Sequence, residues 1–414
     1  MDLAELPLVL MLLGLAAYGV LGGADFGAGF WSLLGGAGTR GREVREFTHH
    51  AMGPVWEANH VWLIFVLVVC WTAYPRAFAS IVSTLAVPLF VAAVGIILRG
   101  TAYALRSEYA GLREERLVAR VFAVSSILTP FALGAAVGGI ASGRVPVGNA
   151  KGDLVTSWLN PTSVFIGVLA VITAAYLAGV YLAADAARLG RRELAEAFRV
   201  RAGRTGVLAG AVAFSGLAVL HEDARPIWDG LTSGAGLVAV VISALAGLAT
   251  LVLVWRGLFE PGRYTAAVAV AAVVAGWPLA QRPTFLPGLT IEQAAAGHST
   301  LVGVLVSAAI GAVVLVPSLA LLFGFVLRGR FDPTEVRQSV RAPAPSKRPP
   351  RFREWVSLGV VCLVFGSFFM LVFEAGWAHV IGVAGLFGFL ISTFCAIGTS
   401  MRTDLRDANT EEPH

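Results

Sequence analysis

Charged residues are scarce in this chain. Asp, Glu, Lys and Arg together make up 14% of its 414 residues, against about 25% in a soluble globular domain. Hydrophobic residues reach 57%, and the mean hydropathy is +0.76. That excludes an ordinary soluble fold and leaves a polytopic membrane protein. Cysteine is also rare. The three present, Cys70, Cys362 and Cys395, all lie in apolar runs. No C-x-x-C pair, no C-x-x-C-H haem attachment and no disulfide framework can be drawn from them. Neither the GxxxxGK[ST] phosphate loop nor the GxGxxG dinucleotide fingerprint occurs. Basic residues are missing from the first 39 positions, where Asp2 and Glu5 stand in place of a signal peptide's basic n-region.

What is present is a series of long apolar runs. A helix needs roughly 20 residues to cross a hydrocarbon core about 30 Å thick. Runs of that order lie at 6–34, 51–73, 77–105, 121–141, 161–184, 205–220, 234–255, 264–280 and 298–327, with two more at 356–373 and 377–399. Their length, not their periodicity, argues for helix. The expected fold is all-α: about nine transmembrane helices packed as bundles, followed by a two-helix hairpin. Four segments are expected, a bundle over 1–330, a Pro-rich basic linker over 331–355, the hairpin over 356–400 and a polar tail over 401–414.

The net charge of +5 and pI of about 9.4 do not indicate a nucleic-acid partner, because the basic residues sit between apolar runs. Loops after odd-numbered spans hold 23 of the 31 Lys and Arg residues, and loops after even-numbered spans hold five. The positive-inside rule then sets the N-terminus outside and the C-terminus in the cytoplasm. Trp31, Trp71, Trp158, Trp255, Trp277, Trp355 and Trp377 fall near span ends, where amphipathic rings prefer to lie.

Polar groups inside the apolar runs are the functional leads, because a charge at mid-membrane costs about 3 kcal/mol or more. Span 2 opens Gly53-Pro-Val-Trp56-Glu57-Ala-Asn59-His60-Val-Trp62. Glu57 and His60 are three apart and share a helix face, as do Trp56 and His60, four apart. A glutamate beside a neutral histidine can pass protons; the same cluster can instead lock a subunit interface. Span 1 contains Gly22-Gly23-Ala24-Asp25-Phe26-Gly27-Ala28-Gly29. Its glycines suit close helix packing. Asp25 is either a hydrogen-bonded structural group or part of a proton path. Arg99, near the end of span 3, can snorkel to the surface or pair with an acid in the bundle. The seven histidines offer no matched axial set for haem, and no metal is expected in this chain. His221-Glu222-Asp223-Ala224-Arg225 reads as a solvated cap.

These residues together resemble subunit II of cytochrome bd-type quinol oxidases. The resemblance rests on Gly23-Ala-Asp25-Phe-Gly27-Ala-Gly29, on Gly53 through Ile64, on Arg99, on Gly134-x-x-x-Gly138 running into Gly143-Arg144-Val-Pro146, and on Trp158-Leu-Asn-Pro161-Thr. It covers about 1–330, and the hairpin departs from it. The resemblance implies a multi-pass cell-membrane subunit that carries no haem and pairs with a haem-bearing subunit I. That partner would hold haem b, haem d and the quinol site of an enzyme that oxidises quinol and reduces O2 to water. The resemblance further implies that a carboxylate at the position of Glu57 serves proton uptake from the cytoplasm. Asp25 and His60 would continue that path, with Trp56, Asn59, Trp62 and Arg99 as its polar setting. A structural quinone or lipid in this subunit is compatible with the family, and the hairpin can stand in for a small accessory subunit. Two rival readings stay open: a secondary transporter, for which no inverted repeat is found, and a purely structural scaffold for the haem subunit.

Overall fold

The computed structural model describes residues 2–36, 38–52, 56–105, 112–327, 350–372, 377–378, 380–385, 387–389, 391–392 and 395, and within the helices the side chains at 39, 49–52, 56–58, 103–105 and 112–117, among others, are outside the description. The chain divides into two compact units, Met1–Arg328 and Gly329–His414.

The first unit opens with α1 (Leu6–Ala17), a π-helical turn (Tyr18–Gly22) and α2 (Gly23–Leu33), which run on as one apolar helix of 28 residues. Pro7 sits in its first turn, where a missing N–H leaves nothing unsatisfied. In the π turn the Gly23 N–H reaches back to Tyr18 O, five residues earlier. Such an insertion slips the helix by one residue, and it is common at functional sites. The amphipathic, charged α3 (Gly38–Met52) follows, then α4 (Trp56–Ala73).

The expected third span is not one rod. It divides into α5 (Pro75–Thr84) and α6 (Ala86–Leu105), bent by 82°. Pro88 explains the break. It has no N–H to give Thr84 O, and its ring would strike that carbonyl, so α5 must end at Thr84.

The long helices α7 (Leu112–Ala141), α8 (Pro161–Arg188) and α9 (Arg192–Asp223) come next, then the short α10 (Arg225–Leu231), α11 (Gly234–Trp255) and α12 (Phe259–Gln281). A two-strand hairpin, β1 (Thr284–Leu286) with β2 (Leu289–Thr290), pairs antiparallel and leads into α13 (Ile291–Ala294) and α14 (His298–Leu327). In the second unit, α15 (Pro350–Val372) packs near Ser392, and Gly385 lies against Gly366.

Among the described residues, seven helices are long and apolar enough to cross a membrane, rising to eight if the bent α5–α6 pair is one span. The expected second span corresponds to α4, whose described apolar part, Asn59–Ala73, is shorter than the others. The expected pair at 356–373 and 377–399 corresponds to the shorter apolar stretches Ser357–Gly366 and Val380–Phe389. The molecule is an all-α, multi-pass membrane protein.

α8 is the hub of the first unit and packs against α2, α7, α9 and α12. Small residues make this closeness feasible. A Cβ on Gly27 would collide with Ala174 O of α8. One on Gly134 would stand 2.8 Å from Ile166 O, and one on Gly138 would meet Ser163 Cα. These are the close backbone approaches on which membrane helices rely, since burial of apolar surface between helices gains nothing over lipid. α8 starts at the end away from the arginine-rich loops. Pro161 takes its first position, and Asn160 Oδ1 accepts from Ser163 N at 2.9 Å. Asp223 completes that end. It accepts from Arg144 at 2.6 and 3.0 Å, from Thr162 Oγ1 at 2.6 Å and from Thr162 N at 3.1 Å. The motif Gly143-Arg144-Val-Pro146 and the motif Trp158-Leu-Asn-Pro161-Thr thus meet through one carboxylate.

Candidate functional site: a buried ion pair between the first spans

Asp25 and Arg99 come from helices 74 residues apart in sequence and meet inside the first unit. Asp25 lies in the first turn of α2 just past the π insertion, and Arg99 lies toward the end of α6. Both are buried, at 1% and 2% exposure. Arg99 Nη2 donates to Asp25 Oδ1 at 2.6 Å and to Asp25 O at 2.8 Å. Arg99 Nη1 donates to Ser126 Oγ of α7 at 3.0 Å. Ser126 can accept because its single proton is used on Phe122 O at 2.6 Å.

Two aromatic faces close the pocket. Arg99 Cζ stands 4.6 Å from the ring centre of Phe26 and 4.8 Å from that of Phe122. Cation–π contacts of this kind gain strength when water is excluded. The guanidinium thus trades a hydration shell for one carboxylate, one carbonyl, one hydroxyl and two rings. Gly29 makes the arrangement feasible, because a Cβ there would overlap the Ser126 side chain. Gly95 does the same for Thr129 where α6 crosses α7. The glycines of the span 1 motif therefore have separate uses: Gly27 admits α8, and Gly29 admits the serine that holds Arg99.

Asp25 keeps one oxygen in reserve. Its Oδ2 is buried with no hydrogen-bond partner among the described residues, and so is the Tyr18 hydroxyl. Tyr18 stands within electrostatic reach of both Asp25 and Arg99. An unsatisfied buried acceptor costs about 1–3 kcal/mol, and more when charged.

α4 brings the other sequence-predicted residues alongside. Asn59 is buried and its Nδ2 donates to Leu21 O, within the π turn, at 3.2 Å. The His60 ring meets Tyr18 edge-on at 6.3 Å and Phe26 edge-on at 6.4 Å. Trp62 packs, half-buried, on the cluster of Tyr18, Phe26 and Ala174. Thus Asp25, Arg99, Asn59, His60 and Trp62 are brought together around one stretch of span 1. Trp56 and Glu57 occupy the first turn of α4, but their side chains lie outside the described residues, and Gly53 and Pro54 lie outside them altogether. Their reading rests on the helical spacing alone, which sets Glu57 on the face of His60.

Sequence reasoning missed Tyr18, Ser126 and Phe122. Tyr18 and Ser126 had a signal, since each is a polar group within an apolar run. Phe122 had none, because an aromatic in an apolar helix is ordinary.

The stretch His221-Glu222-Asp223-Ala224-Arg225 is a surface cap. His221 Nδ1 lies 2.9 Å from Glu222 Oε1 and Nε2 lies 2.6 Å from Arg225 Nη1, while Asp223 is engaged by Arg144 and Thr162. Among the described residues no group of three or more His, Cys, Asp or Glu side chains could hold a metal ion.

Comparison with known proteins accords with this architecture. The profile for cytochrome bd terminal oxidase subunit II matches residues 3–326. The cytochrome bd ubiquinol oxidase subunit 2 of Bacillus subtilis (strain 168) is 28% identical over 133 residues, which is 32% of this chain and 38% of that protein. The matched segment therefore spans well under half the length of that relative. Among solved structures, a chain of the bd oxidase from Geobacillus thermodenitrificans is similar with a TM-score of 0.61 and 24% identity, covering 78% of this chain and 98% of that one. At that identity the likeness is one of fold. By the family profile across its first unit, the chain belongs to the cytochrome bd terminal oxidase subunit II family.

Proposed function

We propose that this chain is the haem-free subunit of a quinol:O2 oxidoreductase in the cell membrane, and that it supplies part of the route by which protons reach the reaction centre. The partner would be the haem-bearing subunit I, holding haem b and haem d, with quinol and O2 as substrates of the complex. The haems would supply the electron transfer and oxygen chemistry when bound in that partner.

This chain's own residues would handle protons. Glu57 takes a proton at the first turn of α4. His60, on the same face, stands next along the helix. Asp25 is held by Arg99 through Oδ1, so its charge is balanced and its position set. The remaining Oδ2 is the atom that can accept a hydrogen bond from water or a passing proton. Asn59 keeps α4 in register with span 1 through Leu21 O, and Trp62 packs the side of the site. The observation that carries this reading is the buried Asp25–Arg99 pair with one oxygen left over, lying beside α4. An acid kept deep among apolar helices is retained where it meets a partner or a moving charge, and here it has one oxygen for each.

The N-terminus outside and the arginine-rich loops in the cytoplasm complete the proposal, since uptake would then begin on the Glu57 side of α4. The hairpin beyond the basic linker is assigned the place of an accessory subunit.

The test is Glu57→Gln in a complex that is shown to be assembled with full haem absorbance. Oxygen consumption with quinol is expected to fall at least ~10-fold, in the range that loss of one acid–base group produces. Near-normal turnover in that assembled variant would defeat the proton role and favour the scaffold reading. A purified complex without haem absorbance would favour a transporter.

A further inference from the structure

One arginine beyond the Asp25–Arg99 pair, against the last turns of the first span, is not used by any of this. Arg201 lies on α9, and its guanidinium carbon stands 5.5 Å from the Trp31 ring and 5.1 Å from the Phe198 ring. Both rings are fixed. Trp31 Nε1 donates to Ala175 O at 2.8 Å, and Phe198 is fully buried. Arg201 Nη1 is buried and has no hydrogen-bond partner among the described residues. Arg40, exposed at the start of α3, carries a second positive charge within electrostatic reach of it. The ion pairs described at this end, Arg191–Glu43, Arg199–Glu196 and Arg263–Asp185, use other arginines. The buried Nη1 of Arg201 is thus a donor that none of these acids uses. A guanidinium has five N–H donors and accepts nothing, so only an acceptor, and best an anion, can complete it.

We propose that Arg201, which Trp31 and Phe198 hold in place, binds with Arg40 the phosphate of an anionic membrane lipid. Lipid is favoured over a soluble anion by position. Trp31 lies near the end of the 28-residue span Leu6–Leu33, and rings of this type mark headgroup depth. Leu33, Leu34 and Val200, neighbours in sequence of Trp31 and Arg201, are exposed and offer apolar surface for acyl chains. Basic pockets between transmembrane helices are known to take such headgroups. The proposal rests on the chain being a membrane subunit and not on any role in proton transfer.

The experiment uses the full chain purified in detergent with whatever complex it retains. It is titrated separately with phosphatidylglycerol, phosphatidylcholine and inorganic phosphate, while thermal unfolding and lipid retention by native mass spectrometry are read. Phosphatidylglycerol is expected to raise the unfolding temperature and to remain bound, phosphatidylcholine and phosphate to do neither. Arg201→Gln and Arg40→Gln should each weaken the phosphatidylglycerol response about five- to tenfold, whereas Arg192→Gln, exposed at the same end, should leave it unchanged. If Arg201→Gln does not fold, Arg40→Gln decides, because its side chain is exposed. Equal responses in wild type and Arg40→Gln would overturn the proposal, and so would inorganic phosphate matching the lipid. No readout depends on oxygen reduction, so this result and that of Glu57→Gln stand apart.

Discussion

Asp25 and Arg99 show what a single buried residue can require of its surroundings. Each alone would be a charge in a dry interior; together they form a neutral pair that Ser126, Phe26 and Phe122 enclose. Removing one partner strands the other, which costs about 3–5 kcal/mol for buried pairs. Asp25→Asn and Arg99→Met are therefore each expected to lower the thermal unfolding temperature and the yield of assembled protein. The double variant should be less damaged than the sum of the two, as a double-mutant cycle would read. Additive losses would show that the pair is not coupled. Both residues stood out in the sequence as charges inside apolar runs. Their pairing did not, because no period links positions 74 residues apart. Glu57 was legible in the same way, and its substitution is the test of the proposed proton route.

At the scale of elements, backbone chemistry sets where each helix starts, breaks and approaches its neighbours. At the start of α8, Asn160 caps the helix and Pro161 takes its first position. Asn160→Ala is expected to cost about 1 kcal/mol, seen as a small fall in unfolding temperature, with Asn160→Asp close to neutral. Gly27 carries more weight. Its missing Cβ is the space that Ala174 O occupies, and backbone cannot yield as a long side chain does. Gly27→Ala should therefore separate α2 from α8 and reduce folded yield several-fold in a membrane-fraction assay. If that variant accumulates at the wild-type level, the close approach of these helices is not what the fold requires. The break of the third span was written in Pro88 but hidden by the continuous hydropathy around it. The π turn at Tyr18–Gly22 had no sequence signal; in the folded chain Leu21 O, within it, accepts from Asn59, and Asp25, just past it, meets Arg99.

For the whole molecule, the bilayer is the missing part of the packing. The apolar window of α14 has none of its residues buried within the chain, and α11 exposes Val238, Leu245 and Leu248. Such surfaces are stable only against lipid or a partner subunit. The division into Met1–Arg328 and Gly329–His414, with a Pro-rich basic stretch around 341–351, argues that the first unit is built without the hairpin. A chain stopped after Arg328 is expected to reach the membrane in full amount and to melt within a few degrees of the complete chain. Loss of the first unit's stability in that truncation would show that the hairpin is part of its core.

The sequence by itself determined the solvent this chain lives in, the approximate course of its spans, the family it resembles and which polar residues stand out. These follow from composition and local pattern, because a membrane tolerates charge only where something compensates it. Which groups compensate which was decided by the tertiary structure alone. Asp25 finds Arg99, Asp223 finds Arg144, and Arg201 finds the rings of Trp31 and Phe198. The reason is that a helix period reports only which residues share a face, while partners across helices depend on how closely small residues let the backbones approach.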